Sequence, residues 1–309
     1  MATTKIFKIG LIQMSVPATR RDALRKAGKM IRQAAKKGAR IVCLPELFST
    51  HYFPQAETAD KSAYAERASG ETASAMAKLA RELGIILIVP FYELGADGKY
   101  YNTALLFGER GKLLGRYHKV HLPHDPGFYE KSYFEHGRDY KVFATKYGKV
   151  AVLICYDQWF PEAARAARLA GAQIIFYPTA LGDIVGYEPK GDWHDAWETA
   201  QRAHAIANSV YIAAVNRVGR EGQMRFFGQS FVCDPFGKIL KLAPRSKEEV
   251  LVTGVDFAKN KFFSEGWGFL RNRRPDTYKA LVSGKLVENR RGLKKVPHYR
   301  DEIRALKGK

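Results

Sequence analysis

Residues 150–162 read Val150-Ala151-Val152-Leu153-Ile154-Cys155-Tyr156-Asp157-Gln158-Trp159-Phe160-Pro161-Glu162. Five apolar residues in a row predict a strand covered on both faces. Pro161 suits the first turn of a helix, and Glu162 favours the same positive end. A buried strand that runs straight into a helix is the unit of a layered α/β fold. The alternation recurs on both sides of this stretch. Strand patterns cover Lys5–Met14, Ala39–Pro45, Gly84–Glu93, Tyr101–Gly108, Lys149–Cys155, Gln173–Pro178, Val210–Asn216, Phe227–Asp234 and Val250–Val255. Helical spacing covers Arg20–Lys37, Ser74–Leu83, Pro161–Ala170 and Asp192–Ser209, the first three each followed by Gly. Gly-Lys pairs such as Gly98-Lys99 and Gly237-Lys238 read as hairpin tips rather than phosphate loops.

The chain has 309 residues, 46% hydrophobic and 27% charged, which excludes a collagenous or disordered polypeptide. No Pro/Ser-rich linker or repeat divides it, so one domain with a C-terminal extension is expected. No apolar run is long enough for a membrane span. The N-terminus shows no signal-peptide pattern, and Cys43, Cys155 and Cys233 show no CxxC spacing. A reduced, cytoplasmic protein is expected. Lys and Arg exceed Asp and Glu by 20. From Ala258 onward stand 15 basic against five acidic residues, so the last 52 residues hold half of that surplus. With no nucleic-acid-binding spacing beside it, this reads as a solvated or subunit-contacting tail, with Arg290, Arg291, Lys294 and Lys295 at its centre.

GxSxG, GxxxxGK[ST], GxGxxG and HExxH are all missing. His118 and His121 have no Cys or acid cluster beside them, which argues against a metal site. Cys155 is placed differently from Cys43. The latter lies inside the run Ile41-Val42-Cys43-Leu44 and reads as core. Cys155 sits where a strand meets a helix N-terminus, whose dipole and N–H groups favour a thiolate. A cysteine nucleophile also needs a base and an oxyanion donor. Leu44-Pro45-Glu46 ends one apolar strand with a carboxylate, and Tyr117-His118-Lys119 ends another with an ammonium. Taken singly, Glu46 could cap a helix and Lys119 could be a solvated edge residue. Three strand ends bearing Glu, Lys and Cys favour a shared site.

These three segments, in this order, resemble the signatures of the nitrilase, or carbon–nitrogen hydrolase, superfamily, with similarity from about Lys5 to about Tyr278. The resemblance implies a four-layer αββα sandwich over 1–278, followed by a basic extension at 279–309 that contacts a subunit. It implies Cys155 as nucleophile, Glu46 as general base, and Lys119 with the Tyr156 backbone N–H at the oxyanion. Glu130, in Gly127-Phe128-Tyr129-Glu130, matches a second glutamate of the family. Thioester chemistry of this kind needs no metal or organic cofactor. A homodimer or larger homo-oligomer is implied, with a small-molecule substrate and neither nucleic acid nor membrane as partner.

Within the superfamily, His121–Phe134, Cys155–Arg165, Phe176–Gly182 and Asn216-Arg217 are similar to the N-carbamoylputrescine amidases. Enzymes of carboxylated carbamoyl substrates tend to place arginine just after the nucleophile. Gln158 and Trp159 stand there and cannot neutralise a carboxylate. The resemblance therefore implies hydrolysis of an N-carbamoyl amine in polyamine synthesis, with Glu188 or Asp183 holding the distal amine. Tyr52, Phe128, Trp159, Thr179 and Ala180 are the other expected substrate contacts, and Phe53 and Tyr187 are further aromatic candidates. Trp193, Trp197 and His204 read as packing or subunit residues. The alternatives are an ω-amidase, a β-ureidopropionase-like enzyme, a broad aliphatic amidase, a nitrilase, or a non-catalytic binding protein on the same fold.

Overall fold

The structure, a computed structural model, describes residues 6–58, 60, 62–284 and 299–306. Arg290, Arg291, Lys294 and Lys295 lie outside the described residues. The chain opens with β1 (Phe7–Gln13), α1 (Arg20–Lys36), β2 (Ala39–Cys43), α2 (Glu71–Leu83), β3 (Ile86–Leu94), β4 (Tyr100–Phe107) and β5 (Leu113–His118). Two short pairs of residues, β6 (His124–Asp125) and β7 (Phe128–Tyr129), lead to β8 (Val142–Thr145) and β9 (Gly148–Val152). Next come α3 (Pro161–Leu169), β10 (Ile174–Pro178), β11 (Gly182–Ile184), α4 (Trp193–Asn208) and β12 (Tyr211–Val215). Strands β13 (Val218–Glu221), β14 (Met224–Phe227), β15 (Phe231–Cys233), β16 (Ile239–Leu242) and β17 (Glu249–Val255) follow. Helices α5 (Ala258–Trp267) and α6 (Tyr299–Leu306) are the last.

Two six-stranded sheets result, ordered β17-β1-β2-β3-β4-β5 and β16-β15-β12-β10-β9-β8. Alternation along each strand shows how they are covered. Ile41, Cys43, Ile86 and Ile88 join Val150, Val152, Ile174 and Phe176 in the core between the sheets. Val42, Leu44, Leu87 and Val89 point the other way, onto Ala27, Met30, Ile31 and Ala34 of α1 and Met76 and Leu79 of α2. Each large side chain buried there contributes roughly 1.5–3 kcal/mol. Gly10 lets α1 approach, since a Cβ would meet Ala34 and Ala39 at 3.1 Å. Helices α3 and α4 cover the second sheet, which completes the αββα layers expected from the sequence. Among the described residues no helix is long and apolar enough to cross a membrane.

The parallel strands β2 and β9 both end at the edge of this double layer, and β5 ends there from the antiparallel side of the first sheet. Their C-terminal ends carry the residues singled out in the sequence.

Candidate active site

Each candidate side chain leaves a strand through a short, constrained turn. Glu46 follows β2 and precedes Leu47, which has φ 48°. Lys119 follows β5 and is fixed on both sides, its N–H donating to the Asn102 carbonyl at 2.9 Å and its carbonyl accepting from Gly137 N–H at 2.8 Å. Glu130 opens a 3-10 turn after β7. Cys155 opens another, Cys155–Trp159, with φ 43°. Left-handed backbone at a non-glycine residue costs roughly 1–3 kcal/mol and persists only where the surroundings enforce it. Asp157 enforces it here. Its Oδ2 accepts from Ile154 N–H at 2.9 Å and the Tyr117 hydroxyl at 2.7 Å, while Oδ1 accepts from His121 N–H at 2.9 Å. Tyr117 and His121 flank Lys119, so one buried carboxylate fastens the cysteine turn to the lysine segment.

Glu46, Lys119 and Glu130 are all fully buried. Lys119 Nζ donates to Glu46 Oε1 at 2.8 Å and to Glu130 Oε1 and Oε2 at 2.8 and 2.7 Å. Burial opposes the lysine charge, but the Glu130 and Glu46 carboxylates outweigh it and hold the ammonium above the ordinary lysine range. Burial pushes Glu130 up to about 7, with Glu46 adding to the effect and Lys119 opposing it. Tyr52 donates its hydroxyl to Glu130 Oε1 at 2.7 Å, and Asn102 Nδ2 donates to Glu46 Oε1 at 2.7 Å. Glu46 Oε2, also buried, has no hydrogen-bond partner among the described residues.

Cys155 lies within the field of these groups. Burial and then the Glu46 carboxylate push its thiol well above the usual cysteine range, while Lys119 and the Ala180 backbone N–H pull the other way. These surroundings work against the thiolate that a helix N-terminus would favour. Burial is the largest cause, the Glu46 carboxylate adds to it, and α3 begins only at Pro161, beyond the cysteine. A buried carboxylate with a free oxygen, whose field raises the thiol, is an arrangement suited to general-base activation.

Cys155 opens onto a cavity of about 500 Å³ whose wall includes Phe128, Glu130, Tyr156, Trp159, Tyr187 and Trp193. Several expected contacts lie elsewhere. Tyr52 is behind the wall, supporting Glu130. Thr179 is buried, donating to Gln158 Oε1 at 3.2 Å, and Ala180, fully buried, meets Cys155 through its backbone N–H rather than the cavity. Gln158 Oε1 also accepts from Trp197 Nε1 at 2.7 Å, so its side chain points into the protein. His204 Nε2 meets the Gln158 carbonyl at 2.9 Å. Asp183 faces Arg245 at 3.5 Å and Glu188 is exposed, and neither is on the cavity wall. Phe53 packs among Tyr92, Tyr133 and Phe134. Trp193 packs against the cluster of Tyr52, Ile184 and Phe226, as expected, and also lines the cavity.

Sequence reasoning also missed a second buried pair. Arg217 Nη1 donates to Glu221 Oε1 at 2.8 Å, and Nη2 donates to the carbonyls of Glu46 and Leu47. Glu221 Oε2 accepts from Tyr52 N–H at 2.6 Å. Asn216-Arg217 belongs to the segments that carry the resemblance, but nothing local shows this role, since the loop contacts of Arg217 lie 167–171 residues away. Asp157 did leave a signal, being an acidic residue three positions beyond the apolar run Val150–Ile154.

A family model for carbon-nitrogen hydrolases matches residues 8–261. An N-carbamoylputrescine amidase of Oryza sativa is 41% identical over 288 residues, 89% of this chain and 94% of that protein. The crystal structure of a carbon-nitrogen hydrolase from Helicobacter pylori G27 superposes with TM-score 0.87 at 36% identity, covering 91% of this chain and all of that one. A variant of an amidase from Nesterenkonia sp. AN1 superposes with TM-score 0.74 at 27% identity, covering 89% and 97%. In that structure the acetamide moiety of fluoroacetamide is added covalently at the active-site cysteine.

Proposed function

The chain belongs to the carbon-nitrogen hydrolase family, and from that premise we propose that it cleaves linear N-carbamoyl amines through a thioester on Cys155, N-carbamoylputrescine being the favoured substrate. Membership makes it a hydrolase of non-peptide carbon–nitrogen bonds that acts on a small molecule. The observation that carries the mechanism is the buried cluster in which Lys119 bridges Glu46 and Glu130 while one Glu46 oxygen stays unmatched, on the same wall as Cys155.

Glu46 takes the Sγ proton as sulfur attacks the carbamoyl carbon. Lys119 Nζ and the Tyr156 backbone N–H stabilise the oxyanion, where each such donor is worth roughly 10²–10³ in rate. Collapse breaks the C–N bond, and Glu46 returns the proton to the departing amine. Water, deprotonated by Glu46, then cleaves the thioester to carbamate, which decomposes to carbon dioxide and ammonia. Glu130 and Tyr52 hold the Lys119 ammonium in place. With putrescine as product, the enzyme serves polyamine synthesis.

The substrate reading is supported by the Oryza sativa relative's name and by the cavity wall. Gln158 is turned inward, and Trp159 offers an aromatic face where a carboxylate-binding arginine would be needed. Ammonia release from N-carbamoylputrescine, N-carbamoyl-β-alanine and glutaramate tests it. Preference for the first is expected, and preference for either carboxylated substrate would overturn the amine assignment. The same reading has the chain, with its domain at 1–278 and extension at 279–309, act as a homodimer or larger assembly, which sedimentation of the full chain measures.

A further inference from the structure

Helix α6 belongs to the basic extension, outside the residues that the family model matches, yet it reaches the cavity. Its Ile303 is buried in a cluster with Tyr52, Ile184 and Phe226. Arg300 pairs with Asp125, and Lys190 Nζ donates to Glu302 Oε1 at 2.9 Å. The Tyr187 hydroxyl donates to Glu302 Oε2 at 3.2 Å. Asp125, Tyr187, Lys190 and Glu302 all line the cavity that contains Cys155. The helix is thus attached to the wall by three of its residues, and it contributes a carboxylate to it.

We propose that Glu302 is the specificity-determining residue that receives the ammonium end of a linear carbamoyl amine, with Lys190 as its resting counter-ion. The inference rests on the amine reading above. Of the carboxylates on the cavity wall, Glu130 is fully buried and belongs to the cluster with Lys119, whereas Glu302 is 31% exposed. Asp125 is almost fully buried against Arg300 and stays committed to it. Lys190, by contrast, is 76% exposed, and a solvated ion pair of that kind is weak and exchangeable. A substrate ammonium carried there by an aliphatic chain can replace Lys190 on Glu302. Each carboxylate oxygen accepts two hydrogen bonds, so the one from Tyr187 is kept. The rings of Tyr187 and Trp193, 5.9 Å apart, offer the arriving cation two π faces.

The test is steady-state hydrolysis by the full chain of N-carbamoylputrescine and of N-carbamoylpentylamine, in which a methyl group replaces the ammonium. Glu302→Gln is expected to raise KM for the cationic substrate about tenfold, the loss of one charge-assisted hydrogen bond, and to lower the cationic-to-neutral ratio of kcat/KM about equally. Lys190→Ala is expected to act in the opposite direction, lowering KM for the cation by about two- to fivefold as a competitor is removed. A wild-type preference for the cation that survives Glu302→Gln overturns the Glu302 assignment alone. Raised KM for the cation in Lys190→Ala does the same. A wild-type chain with no preference between the two substrates overturns both this inference and the amine reading.

Discussion

Arg217 with Glu221, on one side of the loop at 44–52, and Lys119 with Glu46 and Glu130, on the other, are both ion pairs taken out of solvent. They differ in how the charges are matched. Arg217 faces one carboxylate, and both Glu221 oxygens are occupied, by Arg217 and by the Tyr52 N–H. Lys119 faces two carboxylates, and one Glu46 oxygen is left over. Breaking a buried pair costs stability because an uncompensated charge remains. A cluster built with an unmatched oxygen already bears part of that cost, and we read it as the proton acceptor. The Arg217 pair, whose carboxylate is fully occupied although Arg217 Nε is not, fixes the loop that carries Glu46.

This contrast can be attacked at several points. Cys155→Ala should lower ammonia release by about 10⁴-fold or more while the far-UV circular dichroism of the folded chain is kept. Activity within tenfold of wild type would end the thiol mechanism. Glu46→Gln, nearly isosteric, should cost about 10²–10⁴-fold in kcat. On the structural side, Arg217→Ala should lower stability by about 3–5 kcal/mol in urea unfolding, since Glu221 and two carbonyls lose their partner. A change in kcat without a change in stability would reverse the roles given to the two clusters.

A smaller effect concerns pH. Glu130 has a folded pKa of about 7 against an ordinary 4.5, so the folded chain holds its proton more tightly than the unfolded one. Its contribution to stability therefore falls as pH rises from about 4.5 to about 7. Thermal scans across that window should show wild-type Tm declining relative to that of Glu130→Gln. Parallel curves would remove the raised carboxyl. Asn102→Ala, which takes one neutral donor from Glu46 Oε1, is expected to have the smallest effect, about three- to tenfold in kcat.

The layered fold was legible because each layer leaves a local trace. Alternating Ile41/Val42/Cys43/Leu44 and the run from Val150 to Ile154 mark strands, and helix α1 runs from Arg20 to Lys36 where spacing placed it. Glu46, Lys119 and Cys155 were legible as charged or nucleophilic residues closing apolar strands. Asn102 and Arg217 were not, because each acts on a residue far away in the sequence. Asp183 and Glu188 were judged on order along the loop, whereas strand β11 pairs with β14 and leaves Asp183 facing Arg245. The return of α6 to the cavity depends on a single buried isoleucine and two ion pairs, which no periodicity marks.

Strand β17 pairs antiparallel with β1 along its whole length, Phe7 opposite Val255 and Gln13 opposite Glu249. A ribosome makes β1 about 240 residues before β17. Until then β1 has β2 on one side and open backbone N–H and C=O groups on the other. Every strand of the second sheet is finished before that edge can close. Such long-range closure slows folding and leaves a sticky edge on the nascent chain. A messenger truncated between Leu242 and Glu249 would release a chain with the candidate catalytic residues complete and its first sheet unsealed, a species for chaperones and proteases rather than for catalysis.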